Sequence, residues 1–154
     1  MIQEFKNLTK EENELLIKAP VYVTILIAGV DENIEKSETT SAIKFADFLA
    51  KNSDALLKTY FHEVNRVFKG NLIVLLEKLP LETRYRNVDI AIELEKLNSI
   101  FPKLDKNFAG SLYDSLLSFA KHVAKSSGGF LSMGSISPIE KAWITLDMIN
   151  DPRV

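Results

Sequence analysis

Two clusters in the chain carry residue types at spacings that chemistry could use. The first is acidic. Asp31, Glu32, Glu35 and Glu38 stand close together against Lys36 alone, and Asn33 adds a carbonyl oxygen. Hard cations such as Ca²⁺ take about six to eight oxygen ligands, several of them charged. Asp31, Asn33 and Glu35 alternate as the early ligands of an EF-hand loop do. The pattern then fails: Lys36 stands where that loop needs its glycine, and Ala42 where it needs its last glutamate. An EF-hand is excluded. A divalent cation here, Ca²⁺ or another, would sit in an open, weak site built from Asp31, Asn33, Glu35 and Glu38. The same carboxylates have a plainer use. Negative charge at a helix N-terminus is favoured by about 0.3–1 kcal/mol per group without any metal, and Glu38 suits the third position of a capping box.

The second cluster is rich in glycine and serine. It reads Ser126-Ser127-Gly128-Gly129-Phe130-Leu131-Ser132-Met133-Gly134-Ser135, with Lys121, His122 and Lys125 just before it. Backbone N–H groups free of Cβ hindrance, beside lysines, can cradle an anion. Lys121, Lys125, Ser127, Gly128, Gly129 and Phe130 form that candidate set. A cleft near residues 126–136 would serve a small-molecule or anion-binding protein, or an enzyme. It is no Walker loop, because no Gly-Lys-Ser/Thr follows at the required spacing. The plainer reading is that the glycines end a helix while Phe130 and Leu131 pack the loop down. Phe130, Leu131 and Met133 could otherwise present an apolar knob to a protein partner.

Other chemistry is thinly represented. The chain has no Cys, which excludes disulfides, thiolate metal sites and any thiol redox role. His62 and His122 begin no metal-ligand spacing and read as surface or core-edge residues. No nucleophile elbow, zincin or dinucleotide motif occurs. Arg84-Tyr85-Arg86 is a small basic-aromatic patch. With 19 Lys+Arg against 21 Asp+Glu, however, nucleic-acid binding is not expected.

These clusters need helices to position them. The length of 154 residues suits one domain with a real core. Thr9 followed by Glu12 is a capping box that predicts a helix from about Lys10 to Lys18. Pro20 suits a first turn, so a second helix is expected to start there. Val21–Val30 is rich in β-branched residues, but only the short Leu72–Leu76 stretch could pair with it. A strand without a partner leaves its backbone unsatisfied, so a buried helix is expected.

Leu57, Phe61, Val64 and Phe68 keep helical spacing, with Gly70 placed to end that helix. Ile90, Leu94, Leu97 and Phe101 repeat the spacing up to Pro102. Phe108, Leu112, Leu116, Phe119 and Val123 form a further stripe. Ile139, Ala142 or Trp143, Leu146 and Ile149 form the last. Ser137-Pro138-Ile139-Glu140 is a capping box with proline, so a helix starts at Pro138. The sum is an all-α fold, a single compact domain of seven to eight helices without a dividing linker.

Met1–Asn7 is polar and mixed in charge, unlike a secretory signal. The longest apolar run, Ala19–Val30, is too short for the roughly 20 residues of a membrane span. A cytoplasmic protein without membrane insertion is expected.

The chain also carries an internal helix-loop-helix repeat. Each copy is an apolar helix, a polar loop, an Ile, and a Glu four residues later. Ile34 and Glu38 in the first copy answer Ile136 and Glu140 in the second, and Glu35 takes the N-cap place of Ser137. The repeated Ile is placed to plug the loop into the core. Val30-Asp31-Glu32-Asn33-Ile34-Glu35-Lys36-Ser37-Glu38 resembles the loop pattern of the TerB-like family, Ala-Asp-Gly-x-Ile-x-x-x-Glu. Asp, Ile and Glu match, and Glu32 replaces the Gly. The second copy is longer by about six residues and lacks the Asp. The resemblance runs from about Glu11 to Ile149. It implies a bacterial stress-response protein, a non-enzymatic binding or scaffold module acting on a protein partner. It also implies an acidic surface of the kind proposed to bind calcium in that family. The competing expectation is the anion, small-molecule or enzymatic cleft beside the glycine-rich loop.

Overall fold

The computed structural model describes residues 2–29, 34, 36–126 and 138–154, the side chains of 138–140 excepted. Among the described residues every regular element is helical. The α-helices are α1 (Lys10–Ala28), α2 (Lys36–Asn52), α3 (Ala55–Lys78), α4 (Thr83–Glu95), the single turn α5 (Leu97–Ile100), α6 (Lys106–Ser126) and α7 (Pro138–Ile144), with 3₁₀ turns at Gln3–Phe5 and Phe101–Lys103. Six of these have seven residues or more, beside an expectation of seven to eight.

The start of α1 follows the sequence rule: the Thr9 hydroxyl accepts from the Glu12 N–H at 3.1 Å. Its middle does not. No second helix begins at Pro20; α1 runs through it without interruption. A proline inside a helix removes the donor for the carbonyl four residues earlier and crowds that carbonyl. Here the orphan is Leu16 O, and the Tyr60 hydroxyl from α3 donates to it at 2.7 Å. One turn later the buried Thr24 hydroxyl donates back to Pro20 O at 2.8 Å. The polar cost of Pro20 is thus met from outside the helix. Every residue from Ala19 to Ala28 is buried, so the β-branched segment is a core helix as expected.

α3 begins on Asp54, whose carboxylate accepts from the N–H groups of Leu56 and Leu57. It does not stop at Gly70, as the spacing predicts, but continues to Lys78. A glycine inside a helix costs about 1 kcal/mol relative to alanine. Burying Leu72 and Leu75 in the following turns outweighs that cost. The short Leu72–Leu76 stretch is therefore helix.

The stripe Ile90, Leu94, Leu97 and Phe101 is buried as predicted, but its helix breaks before Pro102. At Lys96 the backbone N–H bonds three residues back, to Glu93 O, which tightens the turn and separates α4 from α5. All five residues of the α6 stripe are buried. α7 starts at Pro138 as expected and ends at Ile144. Leu146 adopts φ 50°, which carries the chain out of the helix, and Leu146 and Ile149 reach the core from the turns beyond. The Ser137 cap lies outside the described residues.

α1 lies across α3, α4 and α6, while α2 packs on α3 and α6. The buried face of α2 is Ala42, Ala46 and Ala50. Small side chains along one face let neighbouring helix axes approach closely. Ile34, just ahead of α2, is half-buried against the core, as a plug would be. The C-terminal residues are tied down by polar contacts. Asn98 donates to Met148 O at 3.0 Å and accepts from the Asn150 N–H at 2.8 Å. The Arg153 guanidinium holds both oxygens of Asp114 at 2.8 and 2.9 Å.

Candidate functional site: the junction of α2 and α6

The packing of α2 on α6 brings the first turns of one to the last turn of the other. Ser41 Oγ lies 2.9 Å from His122 Nε2. Ser126, the last residue of α6, has its hydroxyl 2.6 Å from Ser41 Oγ and 3.0 Å from His122 O. The imidazole lies flat against Phe45, with 4.2 Å between ring centres and 8° between planes. Phe45 in turn meets Phe119 edge-on at 4.9 Å. The polar node is therefore fixed from below by the aromatic core.

The protonation state of His122 follows from its surroundings. Partial burial, and then the Lys125 ammonium, hold its pKa below the ordinary histidine value. With the neutral ring's proton on Nδ1, Nε2 accepts from Ser41 in a hydroxyl relay, and the single Ser126 proton goes to Ser41 or to His122 O. A protonated ring would donate at that nitrogen, and the relay would have to reverse.

This gives a signed prediction. The unfolded chain takes up a proton at His122 near pH 6.5, whereas the folded chain does so only at lower pH. Stability contributed by the neutral ring should be complete above pH 6.5 and should fall as the pH drops towards the folded value. Asp47 and Asp151, both held below the usual carboxylate range by hydrogen bonds to Lys51 and Arg153, act only in more acid solution. A thermal unfolding series between about pH 5 and 7.5 should show the melting temperature rising with pH. His122→Gln should flatten that rise, and an unchanged slope would refute the assignment.

An open depression of about 500 Å³ adjoins the node, lined by Lys36, Ser37, Thr40, Ser41 and Lys44. Its lining among the described residues is two lysines and three hydroxyl-bearing residues, with no carboxylate among them. Glu38, in the first turn of the same helix, is only 2% exposed and is engaged in a polar interaction. It faces the interior rather than the depression. Other depressions have carboxylates among their lining residues. The one between α1 and α3 carries Glu14, Lys18, Glu63 and Arg66, and the last two are paired with each other at 2.8 Å.

Of the residues expected to bind a cation, only Glu38 is described; Asp31, Asn33 and Glu35 lie outside the described residues. Among the described residues no group of three or more His, Asp or Glu could hold a metal ion. Of the expected anion set, Lys121 and Lys125 are exposed on the last turns of α6. Ser127, Gly128, Gly129 and Phe130 lie outside the described residues, as do Leu131 and Met133. No protein-family model, curated protein or solved structure matches the chain.

What the junction can do follows from its own groups. A serine beside a histidine suggests a nucleophile and base. Yet no described hydrogen bond joins the other ring nitrogen to a carboxylate, and Ser41 Oγ is already engaged by Ser126. The arrangement is a structural relay with a basic, hydroxyl-lined face.

The basic-aromatic patch read from Arg84-Tyr85-Arg86 comes apart in the fold. Arg84 and Tyr85 are exposed, with the guanidinium 5.9 Å from the ring centre. Arg86 is buried, and its Nη2 donates to Gly29 O at 3.0 Å, closing the end of α1. Burial lowers the pKa of this guanidinium. A Cβ at Gly29 would collide with Arg86 Nη2, so a larger residue there would displace the guanidinium. Among the described residues no helix is long and apolar enough to cross a membrane.

Sequence reasoning missed Ser41 as the partner of His122, and Lys36 and Lys44 as lining of the depression beside it. Ser41 and His122 are 81 positions apart, and neither belongs to a motif. The one available signal was the Ala42, Ala46, Ala50 face, which marks α2 as a helix that others approach closely.

Proposed function

We propose that this chain is a non-enzymatic binding protein whose site is the α2–α6 junction, and that the site takes an anionic group. The observation that carries this reading is the lining of the depression: Lys36 and Lys44 with three hydroxyl-bearing residues, and no carboxylate among the described residues. An anion there would lie beside the first turns of α2, where the helix dipole is positive. It would also lie near His122, whose protonation it would favour. The wider frame is the TerB-like resemblance, a binding or scaffold module in a stress response. The all-helical build, the Ile34 plug and the placing of Glu38 in the first turn of α2 support that frame.

The test is an amide NMR titration of the full chain with inorganic phosphate, and separately with Ca²⁺, at neutral pH. Phosphate is expected to shift the amides of Lys36, Ser41 and His122 and to raise the His122 pKa. Lys36→Ala with Lys44→Ala should remove both effects. If millimolar phosphate moves none of them, the anion reading fails. If Ca²⁺ alone moves Asp31 and Glu38, the acidic loop is the site instead.

A further inference from the structure

The outer face of α4 gathers four of the exposed large hydrophobic side chains among the described residues. Leu81 is 90% exposed, Tyr85 57%, Val88 51% and Ile92 53%. Their spacing of four, three and four places them along one stripe, opposite the buried Arg86, Ile90 and Leu94. Leu81 sits just before the helix, where an apolar residue commonly packs on the fourth helical position. That position is Arg86, which is turned towards Gly29, so Leu81 has no such contact.

We propose that this stripe is the contact face of an antiparallel two-fold dimer of the chain. The argument from charge is specific. Arg84 and Glu95 are both exposed and stand eleven positions apart. At about 100° per residue this puts them on the same border of the stripe, near its two ends. In an antiparallel two-fold dimer each border faces its own copy. Run antiparallel, Arg84 of one copy opposes Glu95 of the other, twice. Run parallel, each border would face the opposite border of the other copy, and these two pairs would not form. The face is therefore complementary to a second copy of itself in the antiparallel orientation. Asp89 lies by the opposite border near the middle, where two copies of it approach each other and weaken the pair.

The stripe is short, about 16 Å from Leu81 to Ile92, and covers less than the roughly 800 Å² per partner of a standard interface. The dimer should accordingly be weak, with a dissociation constant of roughly tens of micromolar. Analytical ultracentrifugation of the full chain at low salt tests it. A monomer–dimer equilibrium is expected. Val88→Arg should abolish it, Arg84→Glu should weaken it about tenfold or more, and Asp89→Asn should tighten it. Arg84→Glu combined with Glu95→Arg should restore the original affinity. All of these positions are exposed, so folding is not at stake, and circular dichroism will verify that. A chain that stays monomeric at about 500 µM, well above the expected range, overturns the proposal. So does a dimer indifferent to Val88→Arg, or a charge swap that fails to restore pairing. A strict monomer would leave the stripe to a helix of another protein.

Discussion

Replacing Tyr60 by phenylalanine should destabilise the fold by about 1–3 kcal/mol, the usual cost of stranding a buried polar group. The ring would keep its packing, since Tyr60 is fully buried and meets Phe5 and Phe61 edge-on at 6.1 and 4.9 Å. Only the hydroxyl would go, leaving Leu16 O with neither its helical donor nor its substitute. Burial drives the phenol pKa far above its ordinary value, so the donor is present at every working pH. The decisive experiment is a double-mutant cycle with Pro20→Ala, read by urea denaturation. Alanine at position 20 restores the N–H that Leu16 O lacks. Tyr60→Phe should then cost measurably less in the Pro20→Ala background than in the native chain. Equal costs in both backgrounds would show that the hydroxyl does not compensate for the proline.

A larger loss is expected at Phe119. It is completely buried, with Phe45 of α2 at 4.9 Å and Phe61 and Phe68 of α3 at 6.3 and 6.0 Å. Phe119→Ala removes a ring around which three helices meet. Deleting a core aromatic costs about 3–5 kcal/mol, a large part of the roughly 5–15 kcal/mol that holds a domain together. The effect should also reach the junction. Phe45 would lose the ring beneath it, and the stack that fixes His122 would loosen. In a chain that still folds, the His122 pKa should move back towards its ordinary value, measurable by proton NMR of the ring. A Phe119→Ala variant within 1 kcal/mol of the native stability would contradict the packing described, given the usual range of such losses.

Much of the fold was legible where periodicity and capping agree. Thr9 and Glu12 mark the start of α1, Pro138 marks α7, and the five apolar positions from Phe108 to Val123 give the buried face of α6. The misreadings share a cause. Pro20 and Gly70 are local punctuation, and local rules end a helix at both. What overrides them is distant: a hydroxyl 44 positions away at Leu16, and leucine burial beyond Gly70. Neither is visible in a window of neighbouring residues. The site was legible only in halves. The sequence singles out the segments before α2 and after α6 as chemically unusual. Their flanking residues meet through Ser41, His122 and Ser126, a contact no spacing rule encodes.

The wholly buried second half of α1 has a consequence in time. Residues 19–28 are made early, while their partner α6 begins only at Lys106, about 80 residues later. At translation rates of about 5–20 residues per second, that interval lasts roughly 4–16 s. Throughout it an apolar segment rich in valine and isoleucine waits without its final cover. Newly made chains should therefore be most prone to aggregate, and most in need of a chaperone, during synthesis of the roughly 80 residues that separate α1 from α6.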